Sequence, residues 1–193
     1  MAEGLSGQGS LLYGSNGMPI FADMQAGTGM PVYVKWPFDA FGTITIAWEN
    51  GDDLDILGYW VGSGARGVGW SHSSNDDAGG FYAKWRGDNT SGGPEFIYVG
   101  TDEDMVLTGD ITFRLHCNWY RCGRPKKTGG QAIVTATGKD STTKTGRMNP
   151  SNRTRMARYE DGAEYEVPGG AATSGDPYID IVYDRFGRVK SVG

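Results

Sequence analysis

Two cysteines and two histidines are the whole thiol and imidazole complement of this 193-residue chain. Cys117 and Cys122 are too few for a disulfide framework. They flank Asn118-Trp119-Tyr120-Arg121 near the end of a strand-like run, where a bridge would require the strand to bend, so two free thiols are expected. His72 and His116 stand in unrelated segments and form no zinc-binding spacing. His116 adjoins Cys117, but neighbours on a strand face opposite ways, which keeps them from acting on one another. Neither a Gly-x-Ser-x-Gly elbow nor a Walker loop occurs, and the glycine-rich run Gly62 to Gly67 opens no helix that could hold a phosphate. The chain also lacks any run of about 18 apolar residues that could span a bilayer. Its first ten residues have neither the basic stretch nor the apolar core of a signal peptide. These absences lead to the expectation of a non-enzymatic protein with no membrane span.

Glycine is abundant, at 32 of 193 residues. It breaks helices and supplies the positive-φ positions that hairpin turns require. No segment shows a sustained helical period. Aromatic residues make up 12% and apolar residues 38% of the chain, enough to build one core. The expected fold is all-β, an antiparallel β-sandwich or jelly roll with an extended N-terminal arm and a C-terminal β-hairpin.

Residues 1–29 are rich in Gly, Ser, Met and Gln around the apolar island Leu11-Leu12-Tyr13, the composition of an arm that orders against a neighbouring subunit. A sandwich body is expected over 30–137, with seven strand-like runs dense in β-branched and aromatic residues. The longest, Ile111 to Tyr120, puts Ile111, Phe113, Leu115 and Cys117 on one face, and Gln131 to Thr137 is expected to pair with it across a Gly-Gly turn. Residues 138–177 read as a basic, glycine-rich connecting loop, and 178–193 as a hairpin turning at Gly187. Between Arg124 and Arg158 there are nine basic residues and one acid, Asp140, in a chain whose net charge is −5. The aromatic interleaving of single-strand nucleic-acid binders is missing there, so the expected partner is acidic protein surface in a homo-oligomer or larger assembly rather than nucleic acid.

Two acidic clusters carry the most chemistry. The first is Gly51-Asp52-Asp53-Leu54-Asp55, and the second runs from Gly87-Asp88-Asn89 to Gly93-Pro94-Glu95. Alternation along a strand aims Asp53 and Asp55 the same way and Leu54 into the core. If Asp88, Asn89 and Glu95 join them from the later loop, the result is an all-oxygen site suited to a hard cation such as Ca2+. The alternative is that these are solvated turn-formers. Six tryptophans raise a separate possibility. Exposed indoles can stack on sugar rings, and Trp60 and Trp70 border Gly/Ser loops, which makes them the candidates for a carbohydrate-binding or adhesion module.

The order Ile46-Ala47-Trp48, Asp53-Leu54-Asp55-Ile56, Gly79-Gly80, Gly87-Asp88-Asn89, Gly93-Pro94-Glu95 and His116-Cys117-Asn118-Trp119-Tyr120 resembles the YfaP-like bacterial β-sandwich domain. It is more distantly similar to the calcium-binding sandwich of the tellurite-resistance TerD family. The resemblance covers about residues 43–137. It implies calcium ligands at Asp53, Asp55, Asp88, Asn89 and Glu95, with Glu95 alternatively a structural residue that accepts backbone hydrogen bonds and pins its loop. It departs from those patterns in Ile56-Leu57-Gly58 after the acidic strand and in the single acid that follows Gly93-Pro94, so one calcium site is expected rather than two. Together these readings describe a structural or interaction module, a subunit of a homomeric or virion-like assembly steadied by calcium.

Overall fold

The computed structural model describes residues 12–13, 19–20, 22–23, 32–33, 38–48, 52–90, 92–121, 130–158 and 162–193. The chain divides into two units, Met1–Pro37 and Phe38–Gly193. In the first, β1 (Leu12–Tyr13) pairs with β2 (Pro19–Ile20), and β3 (Ala22–Asp23) pairs with β4 (Val32–Tyr33). The expected body start at residue 30 therefore moves to Phe38, because Val32 and Tyr33 pair within the first unit. Leu11 lies outside the described residues, while Leu12 and Tyr13 form β1.

Among its described residues the second unit has thirteen strands: β5 (Phe38–Ala47), β6 (Asp53–Trp60), β7 (Val68–Gly69), β8 (Asn75–Ala78), β9 (Phe81–Trp85), β10 (Glu95–Asp102), β11 (Ile111–Arg121), β12 (Ala132–Thr137), β13 (Thr143–Met148), β14 (Thr154–Arg158), β15 (Glu164–Pro168), β16 (Tyr178–Tyr183) and β17 (Val189–Val192). Among the described residues there is no helix, hence none long and apolar enough to cross a membrane. Two antiparallel sheets pack face to face as a β-sandwich. One has six strands in the order β13-β12-β5-β10-β9-β8, and the other five in the order β17-β16-β11-β6-β7.

Period-two alternation puts Ile44, Ile46, Ile97, Val99, Val134 and Ala136 of the first sheet against Leu54, Ile56, Phe113, Leu115, Cys117 and Ile181 of the second, all buried. Trp60 lies in the middle of an aromatic cluster, with ring centroids of Phe113, Phe81, Tyr183 and Phe41 between 5.2 and 6.0 Å away. Gly42 is required where the chain leaves β12, since a Cβ there would stand 1.9 Å from the Thr137 carbonyl oxygen. The Tyr183 hydroxyl is buried with no hydrogen-bond partner among the described residues. Tyr183→Phe is accordingly expected to leave stability unchanged or raise it by up to about 1 kcal/mol in urea unfolding, because it removes a desolvated hydroxyl and keeps the ring. A clear loss would show that the hydroxyl is bonded in solution.

Two sequence expectations are corrected. First, β11 does not pair with β12: β11 lies between β6 and β16, and β12 between β5 and β13 in the other sheet. Second, 138–177 is not simply a connecting loop. Thr143–Met148 is the edge strand β13, and β14 and β15 form a separate two-stranded ribbon in which Arg158 pairs with Glu164. The outer face of β11 is half-buried at Thr112 and Arg114 and covered beyond them. His116 and Asn118 are buried there because residues 169–177 strap across them. His116 Nδ1 donates to the Asp176 carbonyl at 2.7 Å, and Asn118 Nδ2 donates to the Gly170 carbonyl at 2.6 Å. The 178–193 hairpin forms as expected, with β16 pairing β11 and completing the second sheet with β17. Cys117 is a buried free thiol, and Cys122 lies outside the described residues.

Candidate metal centre

The acidic clusters meet at one end of the sandwich, where β6 begins and the loop between β9 and β10 turns over it. Trp48 braces both segments. Its indole N–H donates to the Asp52 carbonyl at 2.8 Å, and its ring packs so closely on Gly93 that a Cβ there would stand 2.8 Å from it. The Gly92 amide donates to the same Asp52 carbonyl at 3.1 Å, joining the two segments directly. One carboxylate oxygen from each of Asp53, Asp55 and Asp88 falls within 4.8 Å of the others. A cation about 2.3–2.6 Å from each oxygen spans that separation.

The first two carboxylates are buried although they point away from the core. Asp53 is 4% and Asp55 2% exposed, whereas Asp88 is exposed. Asp55 Oδ2 is buried with no hydrogen-bond partner among the described residues. Burial pushes the Asp55 carboxyl up to about 8; Asp53 and Asp88 add repulsion, and Arg153 partly opposes it. A buried carboxylate normally carries enough hydrogen bonds to offset its lost hydration. This one has an open acceptor aimed at two other acids.

The remaining expected ligands are arranged differently. Glu95 is buried and acts as the loop's anchor, accepting from the Trp85 indole N–H at 2.9 Å and from the Asn89 amide at 3.1 Å. Burial pushes its carboxyl up to about 8, with neighbouring Asp88 acting in the same direction and those two hydrogen bonds against it. Asn89 meets Glu95 through its backbone amide, and Glu95 is not in the convergent group of three. Sequence reasoning did not single out Arg153, which stands just before β14, acts electrostatically on Asp55 and pairs with Asp176 of the strap at 2.9 Å. It was one of nine cations in a run, and nothing in its spacing marked it.

No family model, curated protein or solved structure matches this chain. Its chemistry is therefore read from its own side chains. Three carboxylates with neither histidine nor cysteine among them make a donor set for a hard divalent cation rather than a soft one.

The tryptophans separate cleanly. Trp60 cannot be a sugar platform: it is 2% exposed, packed among four aromatic rings, and its N–H is taken by the Tyr82 carbonyl at 2.9 Å. Alternation on β6 points it inward, and the adjoining loop does not uncover it. Trp70 is 43% exposed, next to Ser71 at a left-handed φ of 60°.

Proposed function

We propose that this chain is a non-enzymatic structural or interaction module, a subunit of a larger homomeric assembly, whose loop end is tied down by one Ca2+ held by Asp53, Asp55 and Asp88. The observation carrying this reading is the buried, unpartnered Asp55 Oδ2 beside two further carboxylates. With the ion bound, mutual repulsion becomes shared attraction, and the β9–β10 loop is fixed to the start of β6. Glu95 then positions that loop from behind rather than ligating. The resemblance to calcium-binding sandwiches supports the same ion. Calorimetric titration of the apo protein with Ca2+ and with Mg2+ tests the site. One calcium per chain is expected, lost in the Asp53→Asn/Asp55→Asn double variant; full binding by that variant would refute the ligand assignment.

A second reading, carbohydrate binding, now rests on Trp70 alone, since its exposed indole stands in the polar loop Ser71-His72-Ser73-Ser74. A glycan array with wild type and Trp70→Ala discriminates between them. Saturable binding lost in the variant would favour the sugar module, and its absence leaves the structural one.

A further inference from the structure

The six-stranded sheet ends in two strands of opposite charge. At one edge β13 exposes Lys144 and Arg147; at the other β8 exposes Asp77, with exposed Asp102 bonded through its amide to the turn that follows, at Gly80. Neither Lys144, Arg147 nor Asp77 has an ion-pair partner among the described residues, and no further strand pairs with either edge. Charged side chains on an edge strand ordinarily prevent strand addition. That holds here for like edges, because two β13 edges repel each other, as do two β8 edges. It does not hold for β13 against β8.

Direction and facing agree with this. Every neighbouring pair in the sheet is antiparallel, so across six strands β8 runs opposite to β13. A copy displaced along the sheet would therefore bring its β13 antiparallel to the first copy's β8, continuing the existing pattern. Outer faces also match. Thr143 and Thr145 pair with Thr137 and Thr135 outside the core, which puts Arg147 on that face; Asn75 pairs with Tyr82 on the outside of β8, which puts Asp77 there too. Arg147 and Asp77 thus meet on one face of the extended sheet, where cross-strand pairs interact best, while Lys144 adds its charge to the same edge from the other face.

We propose that copies of this chain assemble head to tail by pairing the basic β13 edge of one with the acidic β8 edge of the next. Such a contact joins two different surfaces, so it propagates as a filament unless the rotation between copies closes a ring. The proposal names the partner surface for the assembly role above and does not depend on the cation site.

The test is light scattering on the full chain at low ionic strength, with calcium and with chelator, across a concentration series. The expected mass rises with concentration above the 20.8 kDa monomer in both conditions and falls toward it near 1 M salt, where screening shortens to about 3 Å. Asp77→Lys alone, and Lys144→Glu/Arg147→Glu alone, are each expected to stay monomeric with an unchanged thermal midpoint. An equimolar mixture of the two should assemble again, since each chain then offers two edges of one sign to a partner offering the other. Monomeric wild type at every concentration, assembly by either variant alone, or failure of the mixture would each overturn the proposal. A lost calcium response with assembly intact would refute only the metal centre.

Discussion

Calcium is expected to raise the thermal midpoint of this protein by roughly 5–10 °C over chelator. A ligand at about 100 times its dissociation constant contributes about 2.7 kcal/mol. For a chain of this size each kcal/mol moves the midpoint by about 2–4 °C. Asp55→Asn keeps the shape of the side chain and removes its charge, so it should abolish most of the shift. In chelator the same variant should be at least as stable as wild type, because the wild-type carboxylate there is buried beside Asp53 and Asp88 with one oxygen unbonded. Destabilisation in both conditions would make Asp55 a purely structural residue.

The same prediction has a pH arm. Asp55 titrates near 8 in the folded protein against an ordinary value of 3.8, and Glu95 is displaced the same way. Between those values the folded state retains protons that the unfolded state has released. Stability in chelator should therefore fall as pH rises from about 4 to about 8. Calcium favours the ionised Asp55 and should flatten its share of that slope, leaving the Glu95 share. A chelated protein with no slope across this window would contradict the burial of these two acids.

Trp60→Ala is expected to cost about 3–5 kcal/mol in urea unfolding. It empties the centre of the aromatic cluster formed with Phe41, Phe81, Phe113 and Tyr183 and leaves the Tyr82 carbonyl without its donor. Trp70→Ala, which removes an indole that is 43% exposed, should stay within about 0.5 kcal/mol of wild type. Equal small losses for both would mean that Trp60 is not the keystone its packing indicates.

Strands whose inner face meets the core were readable from local pattern, because burial on one side forces alternation. β11 and β16 show it without exception on their core faces. Edge strand β13 was not readable: four of its six residues are exposed, a fifth is a glycine, and Thr-Lys-Thr-Gly-Arg looks like a loop. Sheet membership was hidden for a different reason. β11 and β12 have equally good alternation, and nothing within either strand shows that the chain crosses from one sheet to the other between them.

For the metal centre, acid identity and strand period were enough to put Asp53 and Asp55 on one face. Local sequence could not show that the β9–β10 loop would fold back onto the start of β6, nor that Glu95 would accept from Trp85 while Asp88 converged on Asp55. By itself, the sequence determined an all-β chain, its core-facing residues and its final hairpin, because these follow from side-chain alternation and turn chemistry within a few residues. Only the tertiary structure decided which acids converge, which tryptophan is exposed and how the edges of the sheet are charged. Each of these depends on contacts between segments far apart in the chain, and local pattern carries no record of them.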